Sequence, residues 1–214
     1  MWWQLKSFSS IWHDTPTGKI GEVTDGWWEI KGRIAPKRKK GRLITAPLTG
    51  KRCVYYEFTV TNHDGEHSST LIHDEKKVAW YLADDTGTAN IDLDGAELVL
   101  DTDLHEQSGM LNPASPKLKA ILAKYKKSNK GWVFEKPLSY MENILEVDDE
   151  LHIFGLAKVV KGNVCFKASS GQPLIVSDNC FPFRVVVKRI ELKAIAYTLA
   201  AVFVLLAAIF VLIR

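Results

Sequence analysis

Apolar and polar residues alternate in short runs through most of the chain, and the pattern predicts a mainly β protein. Cys53–Thr61 (CVYYEFTVT) is the clearest strand, with β-branched and aromatic residues recurring close to period two. Gly21–Ile34 reads as two runs around Asp25-Gly26, a hairpin signal, with Trp27, Trp28 and Ile30 in the second run. A turn at Asp64-Gly65 leads into Ser69–Ile72. Val78–Leu82, Thr88–Leu93 and Glu97–Leu100 follow at short spacing. The second half adds Leu151–Val160, Val164–Ala168, Leu174–Val176 and Phe183–Ile190. Many short strands with Gly-containing turns between them indicate a small barrel or sandwich.

A helical period interrupts the strands once. Ser115 and Pro116 suit an N-cap and first helical position, and Leu118, Ile121, Leu122 and Tyr125 fall on one face. Lys117, Lys119, Lys124, Lys126, Lys127 and Lys130 cover the remainder. They read as a solvated face, or as a surface for acidic lipid or for an acidic stretch of the same chain.

From Ala194 to Ile213, 20 consecutive residues carry no charge. At about 1.5 Å per residue they span about 30 Å, the hydrocarbon thickness of a bilayer. Every face of such a helix is apolar, so a transmembrane helix is expected rather than a core helix. Arg184, Lys188, Arg189 and Lys193 precede it and only Arg214 follows, which places the first 193 residues in the cytoplasm. The expected organisation is an N-terminal segment 1–19, a β-rich domain 20–193 and a single span 194–213. Met1–Trp12 holds three of the seven Trp. Met1, Leu5, Phe8 and Trp12 share a helical face, Trp2 flanks it, and Trp3 falls off the pattern. The segment lies in the headgroup layer or packs on the protein's own surface.

The 214 residues are 46% hydrophobic and 25% charged, which excludes wholesale disorder. Three Cys with no C-x-x-C exclude a disulfide scaffold and a zinc ribbon. The net charge of +3 conceals segments: +7 over residues 1–52, −11 over 53–113, +6 over 114–140 and zero over 141–193. Such blocks suggest surfaces facing different surroundings. The densest basic run is Lys37, Arg38, Lys39, Lys40 and Arg42, in a loop between strands. It suits anionic headgroups, and a solvated loop is the plain alternative. Nucleic acid stacking on Trp27, Trp28, Tyr55 or Tyr56 is the less favoured reading.

Pro47-Leu48-Thr49-Gly50 followed by Cys53-Val54-Tyr55-Tyr56 resembles the opening of the GIDE, or beside-a-membrane, domain. That domain occurs in Mulan-type mitochondrial ubiquitin ligases and in prokaryotic membrane proteins. The likeness continues at Leu82–Gly87, with Asp84, Asp85 and Gly87, then at Asp92–Ala96, Glu142–Leu145 and Leu151–Ala157 with Gly155. It covers roughly residues 20–213 and implies an OB-like, β-rich domain held against a membrane. Family members usually carry a membrane helix on each side of the domain, and the first is absent here or reduced to Met1–Trp12. The ligases add a RING domain, which needs about eight Cys or His zinc ligands. This sequence has three Cys and six His in no such pattern.

Tempting chemistry reads more simply as structure. Asp85-Thr86-Gly87 matches an aspartic-protease triplet but has no second copy, and it suits a β-turn. His63 and His67 flank a turn and could face each other across a hairpin, although a polar tip is the simpler reading. The acidic stretch Asp84–Glu106 misses EF-hand spacing. Cys53 has Lys51 and Arg52 beside it, yet sits in an apolar strand as a packed thiol. No cofactor, metal or catalytic residue is expected. The expected function is a membrane-anchored, non-enzymatic binding or scaffolding module whose partners are lipid and another membrane protein. The alternatives are an accessory component of a ubiquitin-ligase system, and a hydrolase using Asp84 and Asp85.

Overall fold

The computed structural model describes residues 15, 17–37, 43–64, 67–131 and 135–178. The expected strand Phe183–Ile190, the apolar run Ala194–Ile213, Cys180 and Met1–Trp12 lie outside these residues, as do Arg38, Lys39, Lys40 and Arg42. Among the described residues no helix is long and apolar enough to cross a membrane.

In chain order the strands are β1 (Thr17–Gly18), β2 (Gly26–Pro36), β3 (Ile44–Thr45), β4 (Arg52–Cys53), β5 (Tyr55–Asp64), β6 (His67–Lys77) and β7 (Trp80–Ala83). Then come β8 (Thr88–Asp92), β9 (Glu97–Val99), β10 (Leu104–Ser108), helix α1 (Pro116–Lys124), β11 (Leu138–Leu145), β12 (Glu150–Val160), β13 (Asn163–Lys167) and β14 (Ile175–Ser177). A single turn of 3-10 helix, Ile20–Glu22, precedes β2.

Five strands close into a barrel in the order β2–β7–β8–β13–β12 and back to β2. Four of the contacts are antiparallel, and β8–β13 is parallel. Period-two alternation drives the closure. In β2, Ile30, Gly32 and Ile34 are buried while Lys31 and Arg33 point outward. Ile30, Ile34, Leu82, Leu151, Ile153 and Phe166 are essentially inaccessible and meet inside. The expected barrel is therefore present, with the sandwich alternative set aside.

Two insertions build a second layer. The chain between β2 and β7 contributes the β5–β6 hairpin, and the chain between β8 and β12 contributes β10 and β11. They join as an antiparallel sheet ordered β10–β11–β5–β6. Helix α1 buries Leu118, Ile121 and Leu122 in the same core as Phe58, Val60 and Tyr140. Ser115 Oγ caps it by accepting the Leu118 amide at 3.3 Å. Among the described residues α1 is the one α-helix.

One expectation needs correction. Asp25-Gly26 is not a hairpin tip. The residues before it form the 3-10 turn, and Asp25 accepts the Val159 amide at 2.7 Å, so the pair marks the entry into β2. Two strands, β10 and most of β11, were not anticipated, because LHEQS and LSYMENIL mix polar residues into the alternation. His63 and His67 do not face each other, since their cross-strand partners are Ser68 and Asp64.

Gly32 permits the close approach of β2 to β7. A Cβ there would lie 2.6 Å from the Ala83 carbonyl oxygen and 2.9 Å from Leu82 Cγ. Gly32→Ala is therefore expected to destabilise the protein by about 2 kcal/mol. The denaturant midpoint, followed by Trp fluorescence, should fall with an unchanged slope.

Candidate functional site

The residues of the two strongest sequence motifs come together as structural clasps. In β11, Leu138, Tyr140 and Ile144 point into the core, and Glu142 takes the same inward position. Its carboxylate is fully buried and accepts the Leu48 amide at 2.6 Å and the Thr49 amide at 2.7 Å. The turn Pro47–Gly50 thus wraps its backbone donors around one carboxylate. The Gly50 amide returns to the Ala46 carbonyl at 3.1 Å, with Gly50 at φ +75°, a left-handed conformation that suits glycine. Glu142 was foreshadowed only as part of a family motif. The signal for its role was a lone acid on the apolar face of an alternating strand.

The second clasp is Asp84. One oxygen accepts the amides of Thr86 and Gly87 at 2.7 and 2.9 Å and the Thr86 hydroxyl at 2.6 Å. The other accepts the Ile20 amide at 2.8 Å. Thr86 Oγ1 in turn accepts the Gly21 amide at 2.9 Å. The triplet that resembles a protease signature thus ties the β7–β8 turn to the 3-10 turn. Asp85 points outward and pairs with Lys19.

Gly155 lies where a Cβ would meet Leu174 Cδ1 at 2.9 Å, so its role is to admit the segment before β14. Tyr55 and Tyr56 are buried, which removes them as stacking platforms for nucleic acid. Trp27 stacks on Phe154 with ring centroids 5.4 Å apart. Tyr56 and Tyr125 both donate to Asp74 Oδ2, the former at 2.9 Å. Cys53 is buried, and burial followed by the nearby Glu142 and Glu146 carboxylates pushes its thiol up to about 11. It is a packed thiol, unactivated by Lys51 or Arg52. Of the basic run, Lys37 is described: its Nζ sits 5.2 Å from the Tyr81 ring centroid. Tyr81 was missed in the sequence because Trp80–Ala83 has no distinctive spacing.

A hollow of about 800 Å3 opens beside Gly18, Lys31, Gly32, Arg33, Asp84 and Asp85. Its charges are already engaged: Lys19 with Asp85, Lys31 with Glu150 at 2.7 Å, and Arg33 with the Asp148 carbonyl at 2.9 Å. Elsewhere, His105 Nε2 lies 2.8 Å from Ser139 Oγ, and it also meets the Gln107 side chain at 3.4 Å. These contacts form a cross-strand polar cluster on adjacent β10 and β11. Among the described residues no group of three or more His, Cys, Asp or Glu side chains is arranged to hold a metal ion.

A family model described as GIDE, E3 ubiquitin ligase, matches residues 54–212. The match includes Asp84, Asp85, Glu142 and Gly155, and the Pro47–Gly50 turn lies just before it. No curated protein and no solved structure is significantly similar to the chain.

Two outcomes test the clasps. Glu142→Ala leaves two buried amides without an acceptor and is expected to cost about 3 kcal/mol, with Glu142→Gln in between, by chemical denaturation. The second concerns pH. Burial pushes the Asp84 carboxyl up, but bonds from Thr86, Ile20 and Gly87 outweigh it and leave its pKa below the usual value. Its contribution is therefore present above about 3.9 and lost as pH falls through the folded pKa. Asp103, Asp149 and Asp178 are raised, mainly by burial, and have the opposite sign. Stability should rise slightly as pH falls through their range and then drop. Asp84→Asn should flatten the drop; a profile parallel to that of the parent would remove Asp84 from this role.

Proposed function

The chain belongs to the GIDE family, and from that premise we propose that it is a membrane-anchored, non-enzymatic binding or scaffolding module. It presents a β-rich domain beside the bilayer. The observation that carries this reading is the reach of the family match, which runs from Val54 in the folded domain to residue 212, inside the apolar run Ala194–Ile213. One evolutionary unit thus joins the barrel to a segment long enough to span a bilayer.

Strand direction supports the same reading. β2 and β14 are both antiparallel to β12, and His152 lies between Lys31 on one side and Ser177 on the other. Hence β2 and β14 run in the same direction. The sequence after Pro36 is the basic run Lys37–Arg42, and the sequence after β14 leads to the apolar run. Both strands end at one end of the barrel, and in this reading anionic headgroups attract the basic run and lipid solvates the apolar one. The barrel order and its parallel β8–β13 contact support an OB-like classification. The motif carboxylates support a non-enzymatic role, because Asp84 and Glu142 spend their oxygens on backbone amides.

The family description favours a second reading, an accessory part of a ubiquitin-ligase system whose zinc domain comes from a partner. Cell fractionation tests the first reading. The full-length chain should pellet with membranes and remain there through an alkaline carbonate wash. Recovery in the wash, or as a soluble species without detergent, overturns it. A RING-containing protein that co-purifies from solubilised membranes would favour the second.

A further inference from the structure

A small hollow of about 290 Å3 lies at the end of the barrel toward which β2 runs. Lys37, Lys77, Trp80, Asn90, Asp92 and Leu93 are among the residues that line it. Cross-strand register explains the assembly. Pro36 pairs with Trp80 and Ala35 with Tyr81, so Lys37 emerges beside the start of β7. Tyr81 pairs with Asn90, which places the Asn90 amide on the outer face of the next strand. Lys77 arrives from the end of β6, and Val78 and Ala79 directly after it complete the rim.

The two carboxylates beside this hollow have partners of their own. Asp92 accepts the Asp94 amide at 3.0 Å and meets Lys167 Nζ at 2.9 Å, and Asp94 pairs with Lys77. Lys37, Lys77 and Lys167 therefore outnumber Asp92 and Asp94 by one charge. Lys37 turns toward an aromatic ring rather than a carboxylate. An ammonium that can swing off a ring, a second ammonium and a carboxamide donor around a hollow of this size suit a phosphate oxygen set. Continuing from Lys37, the sequence adds four further cations within five residues.

We propose that this hollow receives the phosphate of an anionic phospholipid headgroup, so that Lys37, Lys77 and Asn90 dock the barrel against the bilayer surface. This rests on the membrane-apposed reading above and names the lipid contact of that surface.

Residue-resolved lysine acetylation of the full-length chain tests it, read by mass spectrometry in lipid discs of phosphatidylcholine with or without phosphatidylserine. Lys37 and Lys77 should react about fivefold more slowly when phosphatidylserine is present. Lys161, on the β12–β13 turn at the opposite end of the barrel, should not change. Asn90→Asp, which sets a like charge against the phosphate, should abolish the protection while leaving the circular dichroism spectrum intact. Equal rates in the two discs overturn the proposal. Equal protection by inorganic phosphate overturns the lipid headgroup as occupant and assigns the hollow to a free anion. If the chain does not enter discs, anchoring has failed separately. Dihexanoyl phosphatidylserine added to the solubilised chain then decides the hollow: protection of Lys37 and Lys77 supports it, and its absence overturns it.

Discussion

The pairing of β2 with β12 is the constraint on which the rest of the molecule depends. It joins Gly26–Arg33 to Glu150–Ala157 over eight residue pairs and closes the barrel from opposite ends of the described chain. Everything between these strands must form a loop that starts and finishes at one seam. That geometry commits the intervening residues to completing the barrel with β7 and β8, or to building outward from it. The cost in loop entropy grows only slowly with length, so the two long insertions are tolerated once the seam is formed. The β5–β6 hairpin and the β10–β11 pair then find each other because both emerge from the same barrel. Burying Phe58, Val60, Tyr140 and Leu122 against one another stabilises a second core that neither insertion could form alone.

Glu142 binds the Pro47–Gly50 turn to β11 in a way that apolar packing does not. A buried carboxylate is costly unless its oxygens are satisfied. Here two backbone amides of the Pro47–Gly50 turn satisfy it, and the turn is held in one conformation in return. Asp84 does the same for the 3-10 turn at the entrance to β2. Both carboxylates fix loop geometry from the inside. The residues that mark the family most clearly therefore act on backbone shape, and the surfaces open to ligands must be sought elsewhere.

Period-two alternation made the central strands legible: Leu151–Val160, Thr88–Leu93 and most of Cys53–Thr61, from Tyr55 on, lie where the pattern puts them, and the i, i+3, i+4 spacing did the same for the helix from Pro116. Legibility failed where polar residues take inward positions. LSYMENIL hides a core strand because Glu142 interrupts it, and the structure resolves this by bringing backbone donors to the carboxylate. Asp25-Gly26 misled for a different reason. The same dipeptide that suits a hairpin also suits entry from a turn, and only the distant Val159 amide on Asp25 shows which applies. The outer-face group of Lys37, Tyr81 and Asn90 has no sequence signature, since its members come from two strands and from the residue after a third, brought together by the register of the barrel.

The charge blocks of the sequence take on a different meaning once folded. Lys19 from the first basic segment pairs with Asp85 of the acidic one, and Lys117 of the helix approaches Glu106 at 3.5 Å. Lys31 and Lys51 likewise reach Glu150 and Glu146 in the last segment. The blocks therefore do not map onto separate surfaces; the fold interleaves them. Each of these exposed pairs contributes little to stability, because water and salt screen it. Their larger effect is on the surface field, because a neutralised pair attracts little beyond a Debye length of about 10 Å. The Lys37 ammonium faces an aromatic ring and adds to that field directly, and Lys77 beside it adds its charge wherever an anion draws it from Asp94. Under the docking proposed above, the Lys37 end of the barrel, more than the whole positive count of the chain, is the face that an anionic bilayer would meet.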